Sequence, residues 1–524
     1  MELIKRNVHM DIQKSRVNTQ LTLDDDYNIP ETMGDVFRLL IDKGRLQTED
    51  VKVSEDHVTI KGRLHFSALY LSENNPKNIQ NINGSIPFEE FIHMEGIESG
   101  DSVKVTGEIE NLSLSLINSR KLSIKAIISL TAVAEEIRDE ETTVEIKCEE
   151  PIEYQKKILD IAEIAVDKRD IYRIRETFDL PSGLPNVADV LWEDYQIGDF
   201  EFKAQEQKIT LHGEINLFIL YEAEGEEANA RWYETVIPFG GAIDCGGCTD
   251  EMMPDIQYEI GHQEIEVRPD SDGEERSFAI DMVLDLSIKL YREEQLEILA
   301  DAYGVTQELD TAVREGNYRS LLVRNNGKCR TEGRLRIKNS EIRMLQICHS
   351  TGTVVIDETE IVENGIAVEG AIDVQILYVT TDDSVPFYTI KGSIPFVHTI
   401  DVQGIDEDCI YTIDVNIEQL AADMIDSEEL EIRAVCDVQA LVFRTVREKI
   451  ISEIECREAD MDKMSNLPGI VGYIAKQGDT LWQIGKKYYV PIRQIKEMNG
   501  LTSDELHPGD KLLIVKTIGS TAHT

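Results

Sequence analysis

The chain has 524 residues, of which 41% are hydrophobic and 29% are charged. Its formal net charge is −47, from 53 Lys and Arg against 100 Asp and Glu, and so negative a chain repels phosphate backbones and anionic lipid surfaces. The apolar content is sufficient for several folded cores, which excludes disorder throughout the chain. We therefore expect three or four globular domains and no nucleic acid partner.

The hydropathy of the chain favours a cytoplasmic location. A transmembrane helix needs about 18 consecutive apolar residues, and the sequence contains no such run. The first residues lack the apolar stretch of a signal peptide. Eight cysteines are scattered along the chain, as expected of thiols in a reducing compartment. We expect neither membrane insertion nor export.

Three segments of the chain share one pattern of spacing. In each, a tyrosine lies eight positions after a glycine. The proline of an Ile-Pro-Phe triplet follows 17 positions after that tyrosine. The three copies begin at Gly62, Gly213 and Gly370, so the pattern recurs after 151 and then 157 residues. This interval has the length of a whole domain and is too long for a solenoid repeat.

Period-two alternation of apolar residues predicts β-strands within each copy. It is clearest at residues 366–378 and recurs in a second block that closes each copy, as in strands with one buried face. The shared glycine in mid-strand suggests a bulge. Two runs after prolines, 34–41 and 186–192, have helical spacing. We predict mainly β tandem repeat domains of sandwich or barrel type, each with a short helix. The predicted boundaries are 1–143, 144–308 and 309–457 for the repeats, 458–469 for a linker and 470–517 for a C-terminal module.

The residues that the copies share are typical of a scaffold. They are apolar residues, glycine, proline and tyrosine, whereas a repeated active site would show shared polar residues. Cys245 and Cys248 align with apolar residues of the other copies and lack a second pair of zinc ligands, so we predict buried thiols and no metal or other cofactor. Motifs for phosphate, dinucleotide, acyl-transfer and zincin sites are absent from the sequence. The adjacent Cys348 and His349 form the one nucleophile and base pair worth testing.

The C-terminal module has a different pattern. A short strand at 471–476 leads through a turn to Thr480, which with Gln483 forms a capping-box signature for a first helix. Pro491 suits the start of a second helix, which Asn499 and Gly500 end. A final strand is predicted at 511–515, so the order is β-α-α-β.

This module closely resembles a LysM domain. The resemblance rests on GDTLWQIG at 478–485, NGL at 499–501 and LHPGDKLLI at 506–514, and it departs at Gly485, where Ala is usual. LysM domains bind glycans that contain N-acetylglucosamine. The resemblance implies a binding groove formed by Gly478, Asp479, Thr480, Leu481, Asn499, Gly500, Leu501 and Leu506. The alternative for Leu481 and Gly500 is a role in packing or capping alone.

Three β repeats with Ile-Pro-Phe triplets and a terminal LysM domain resemble the SPOCS-domain spore coat morphogenetic proteins of endospore-forming clostridia. The resemblance implies a non-catalytic adaptor of the mother cell, located at the forespore surface. It would bind the coat basement ATPase SpoIVA through the LysM module and help to localise and encase the coat around the forespore. Ile470, Trp482 and Tyr489 are the expected exposed anchors, because aromatic residues dominate binding hot spots. The alternative for Trp482 is a packing role in the first helix.

Two other functions remain open from the sequence. One is a structural protein of the cortex or cell wall that binds peptidoglycan directly. The other is a wall hydrolase, because LysM modules often accompany such enzymes. Residues 470–516 carry a local charge of +2 and the rest of the chain −49. We therefore expect the module to favour an acidic partner surface, and added salt to weaken that contact.

Overall fold

The computed structural model describes residues 1–73, 79–225, 230–337, 342–382, 385–457 and 468–516. Most of the predicted linker 458–469, and residue 517, lie outside the described residues. The described chain forms strands up to residue 457 and then the small C-terminal module. The strands of the first repeat are β1 (Glu2–Asn28), β2 (Val36–Ser54), β3 (His57–Ser72), β4 (Ile79–His93), β5 (Ser102–Asn118) and β6 (Lys121–Lys147).

The second and third repeats have the same order of strands. In the second they are β7 (Ile152–Asp179), β8 (Val187–Gln205), β9 (Lys208–Ala223), β10 (Ala230–Asp244), β11 (Met253–Pro269) and β12 (Glu275–Gly304). In the third they are β13 (Glu308–Arg336), β14 (Met344–Val362), β15 (Gly365–Thr380), β16 (Phe387–Asp401), β17 (Cys409–Met424) and β18 (Glu429–Arg457). The module comprises β19 (Ile470–Ile474), α1 (Leu481–Tyr488), α2 (Ile492–Asn499) and β20 (Lys511–Val515).

Each repeat consists of two three-stranded antiparallel sheets. In the first repeat the orders are β1-β6-β5 and β2-β3-β4, and the other repeats follow the same scheme. Apolar residues of both sheets meet between them, as Ile372 of β15 and Ile432 of β18 do in one core. The predicted mainly β fold is therefore confirmed, and so is the β-α-α-β module. The first repeat extends beyond the predicted boundary at 143, because Lys147 still pairs with Glu2.

The shared glycine is explained by close packing against the Ile-Pro-Phe triplet. A Cβ atom on Gly62 would lie 2.6 Å from the ring of Phe88, its direct partner on β4. A bulge lies opposite the glycine, in β2 between Thr48 and Asp50. The triplet itself lies on an edge strand, the position in a sheet where proline is tolerated. The equivalent pairs are Gly213 with Phe239 and Gly370 with Phe396.

The short helices predicted at 34–41 and 186–192 are wrong. Strands β2 and β8 begin at Val36 and Val187. Both helices of the described chain belong to the C-terminal module. The physical reason is a pair of bulges at the start of each strand, for example between Leu39 and Ile41. A bulge adds one residue and interrupts the alternation of period two, so neighbouring apolar residues both become buried and mimic a helical pattern.

The three repeats pack against one another as one body. Met10, Ile161 and Tyr318 occupy equivalent positions in β1, β7 and β13 and share one buried cluster. A second shared cluster joins the other sheets through Ile41, Trp192 and further residues: Leu40, Leu69, Leu71, Ile79, Leu191, Phe218, Leu220, Cys348, Leu377, Val385 and Phe387. Contacts connect every pair of repeats, so each repeat touches both others.

Buried polar groups also link the repeats. The carboxylate of Asp11 in the first repeat accepts hydrogen bonds from Arg319 of the third and from Lys289 of the second, the latter at 3.1 Å. The hydroxyl groups of Thr142 and Tyr318 lie 2.7 Å apart in the interface of the first and third repeats. These contacts fix the relative position of the repeats, because a buried polar group that loses its partner is costly.

Candidate functional site

The turn before α1 is built by side chains that bind within the module. Gly478 has a left-handed φ of +89°. The carboxylate of Asp479 accepts hydrogen bonds from the Tyr473 hydroxyl and the Lys476 backbone N–H, both at 2.8 Å. Thr480 caps α1 and forms the predicted capping box with Gln483. The Lys476 backbone N–H and the Tyr473 hydroxyl hold the pKa of Asp479 below its usual range, and both hydrogen bonds engage this carboxylate within the module.

Leu481 lies in the core of the module and does not line a groove. Its side chain is 2% exposed, and it packs with Ile484, Val490, Ile495, Leu512 and Ile514. The first turn of an amphipathic helix places its apolar residue toward the core. For Leu481, the structure therefore supports the packing role that the sequence left open.

The other half of the predicted groove surrounds the end of α2. The amide of Asn499 donates to the carbonyls of Ile495 and Leu513, both at 2.8 Å, and its oxygen accepts from the Leu513 N–H at 2.7 Å. Gly500 ends the helix with φ +63°. Leu501 and Leu506 are partly buried against the core. Asn499 thus ties α2 to β20.

A shallow cavity of about 670 Å³ lies beside this loop, between the module and β7. Two predicted groove residues, Gly500 and Leu501, line it. The other residues that line it were not predicted from the sequence: Glu153, Ile492, Arg493, Lys496, Glu497, Thr502 and Asp504. For Ile492 and Lys496 the sequence does hold a signal, because a spacing of four residues on α2 places both side chains on one face of the helix. Glu153 could be placed here only by the tertiary structure.

Four of the five charged side chains that line the cavity form ion pairs with one another. Lys496 and Asp504 form an ion pair at 2.7 Å, and Arg493 and Glu497 form another at 2.8 Å. Burial raises the pKa of Glu153. A cavity in which two apolar side chains, Ile492 and Leu501, lie beside paired charges suits a neutral, polyhydroxylated ligand better than an ion.

The three predicted anchors of the module have different environments. Ile470 is 66% exposed at the start of β19. Tyr489 is partly buried, and the Lys516 ammonium lies 5.5 Å from the centre of its ring. Trp482 faces the second repeat, where its Nε1–H donates to Asp301 at 2.8 Å. Trp482 is therefore half-buried against the second repeat rather than fully exposed, and its role in binding a partner stays a prediction.

Cys348 and His349 do not form a nucleophile and base pair. Burial raises the pKa of the Cys348 thiol to about 12. The nitrogens of His349 lie 2.9 Å from the carboxylates of Glu234 and Asp194, so the imidazole faces the second repeat. Cys245 and Cys248 are buried free thiols, as predicted.

Neither a candidate metal site nor a helix of membrane-spanning length occurs among the described residues. No group of three or more His, Cys, Asp or Glu side chains in these residues is arranged to hold a metal ion. Neither α1 nor α2, the helices of the described chain, has the length and hydrophobicity needed to span a bilayer.

The fold and the module together define a protein of three tandem β domains that carries one small binding module. The family model described as "SipL, SPOCS domain" matches residues 35–117, 186–268 and 343–425, and the LysM model matches residues 473–515. The chain is therefore a SipL-like SPOCS/LysM protein. Each SPOCS match covers the four middle strands of a repeat, from β2 to β5 in the first. The long strands β1 and β6, which help to join the repeats, lie outside it.

Two curated proteins match short segments of the chain. The chain is 46% identical over 50 residues to "Probable peptidoglycan endopeptidase LytE" of Bacillus subtilis, covering 10% of this chain and 14% of that protein. It is 40% identical over 42 residues to "Uncharacterized protein YkzQ" of the same organism, covering 8% and 56%. No solved structure matches.

The matched domains are binding domains rather than known catalytic ones. The LysM domain supports peptidoglycan binding, and the SPOCS domains indicate a role in sporulation and the spore coat.

Proposed function

We propose that this protein is a non-catalytic spore coat morphogenetic adaptor. It acts in the mother cell, binds the coat ATPase SpoIVA through its LysM module, and helps to localise and encase the coat around the forespore. The observation that carries this proposal is the joining of three SPOCS repeats into one body that holds a single LysM module. A rigid body with several faces can engage several partners at once, which raises avidity without a tight individual contact.

The outer face of the module's sheet is the surface that best suits a protein partner. Ile470, Ile474 and Leu513 are 66%, 61% and 42% exposed, and they lie on the paired strands β19 and β20. Lys511 is paired with Ile474 in the same sheet. An exposed apolar patch beside a basic residue fits an apolar and acidic partner surface.

Capture of SpoIVA by the full-length chain tests this surface. Ile470→Glu should strongly reduce capture, because it places a charge in the apolar patch. The matched control is Ile171→Glu on β7, where the isoleucine is 64% exposed and far from the module in sequence. Added salt should weaken capture by the wild type. Equal capture by the wild type and by Ile470→Glu would contradict the assignment.

A second candidate function is direct binding of peptidoglycan as a structural protein of the cortex or cell wall. The cavity beside α2 supports it, because the cavity is open and includes the predicted groove residues Gly500 and Leu501. Sedimentation with purified peptidoglycan in the absence of SpoIVA provides the test. Thr502→Tyr should fill the cavity and reduce sedimentation, whereas Ser503→Tyr, at the neighbouring exposed position, should not. A zone of clearing in a peptidoglycan gel would contradict a non-catalytic role.

A further inference from the structure

The α1 helix of the module is bound to the end of strand β12 in the second repeat. The two carboxylate oxygens of Asp301 accept separate hydrogen bonds, from the Trp482 Nε1–H at 2.8 Å and from the Lys486 ammonium at 2.6 Å. The rings of Trp482 and Tyr303 meet edge to face, with centroids 4.9 Å apart. Such aromatic pairs and charge-assisted hydrogen bonds are directional, so this contact fixes the orientation of the module.

Gly485 is the position at which the module fits the second repeat most closely. A Cβ atom there would lie 2.5 Å from the Tyr303 hydroxyl oxygen and 2.9 Å from the Val490 carbonyl oxygen. The Tyr303 hydroxyl itself donates to that carbonyl at 2.9 Å. The absence of a side chain at 485, where LysM domains usually have Ala, is thus explained by the approach of Tyr303. The glycine belongs to the contact with the second repeat.

The contact is specific to the second repeat. The positions equivalent to Asp301 and Tyr303 are Glu145 and Lys147 in the first repeat and Glu453 and Glu455 in the third. All four of these side chains are exposed, whereas Tyr303 is 3% exposed beneath the module. The first and third repeats lack the aromatic ring that α1 covers. Three similar faces therefore differ in the residues that would hold the module.

We propose that the end of β12 is a docking surface for the chain's own LysM module, and that docking masks the Trp482 side of α1. A partner that uses this side of the helix must first displace the second repeat. The α2 cavity and the exposed sheet residue Ile470 remain open in the docked state. The module therefore has one side that is available at all times and one that is autoinhibited by the body.

Hydroxyl radical footprinting of the full-length chain tests the docking. It reports the oxidation rate of each aromatic side chain by mass spectrometry and needs neither SpoIVA nor peptidoglycan, so its outcome is independent of the proposed function. Asp301→Ala removes both acceptors, and Gly485→Ala introduces the clash with Tyr303. Loss of the charge-assisted hydrogen bonds should lower the equilibrium constant for docking of the module by on the order of tenfold or more. Undocking uncovers both rings, so Trp482 and Tyr303 should be oxidised several-fold faster in both variants.

Glu453→Ala is the matched control, because it changes the equivalent carboxylate on the third repeat. It should leave the oxidation of Trp482 unchanged. Trp232, which packs against Phe387 within the body, reports whether a variant is still folded. If Trp232 is also oxidised faster in Asp301→Ala, that variant is partly unfolded. The more conservative Asp301→Asn then takes its place in the comparison. Unchanged oxidation of Trp482 in folded Asp301 and Gly485 variants would overturn the proposal, as would an equal increase in Glu453→Ala.

Discussion

Replacement of Asp11 by asparagine tests whether the three repeats are joined by a buried charge. The side chain of Asp11 is 6% exposed and pairs with Arg319 of the third repeat, which is 11% exposed, and with Lys289 of the second, which is 16% exposed. The Tyr291 hydroxyl also donates to it at 3.2 Å. Asparagine keeps the shape of the side chain but removes its charge, so Arg319 loses the carboxylate that it pairs with in the interface.

The expected loss of stability is large for one substitution. Removal of one partner from a buried ion pair destabilises a protein by about 3–5 kcal/mol, because the other charge remains desolvated. The matched control is Asp24→Asn in the same strand. Asp24 pairs with Lys125 at 3.1 Å, but the two side chains are 58% and 62% exposed, and such surface pairs contribute less than about 1 kcal/mol.

Urea unfolding at neutral pH, followed by circular dichroism, gives the free energies to compare. The two cations outweigh burial and lower the pKa of Asp11. The stability that ionised Asp11 contributes is therefore complete above the ordinary aspartate pKa of about 3.9. It is lost as the pH falls through the lowered pKa of Asp11 in the folded state. The difference between wild type and Asp11→Asn should shrink in acid. Equal destabilisation by Asp11→Asn and Asp24→Asn would refute the reasoning.

Three further substitutions have expected outcomes. The pKa of His349 is raised, because hydrogen bonds to two carboxylates outweigh its burial. The stability that it contributes is present below the ordinary histidine pKa and lost as the pH rises through the raised value, so melting temperatures of wild type and His349→Gln should converge in alkali. Gly370→Ala places a Cβ 2.3 Å from the Val355 carbonyl oxygen and should cost about 1–3 kcal/mol in urea unfolding, while Gly100→Ala, in open space, should cost almost nothing. Thr480→Ala removes the helix cap and should destabilise α1 by about 1 kcal/mol, measured as faster amide exchange confined to the module.

The strands and the module were predictable because their signals are local. The alternation at 366–378 describes one face of β15, and the capping box of Thr480 describes one helix start. The predicted helices at 34–41 and 186–192 were wrong because a bulge changes the local period, and the bulge depends on pairing with another strand. The cavity beside α2 was predicted only in part, since Glu153 approaches it from a distant part of the chain.

The sequence by itself determined three similar β domains, a LysM module and the burial of Cys245 and Cys248, because spacing and hydrophobic period act over a few residues. The tertiary structure alone decided that the repeats close into one body around shared clusters, and that Trp482 faces Asp301, 181 residues earlier in the chain. Contacts over such separations depend on how whole sheets pack. No local pattern encodes the partner that a side chain meets across an interface.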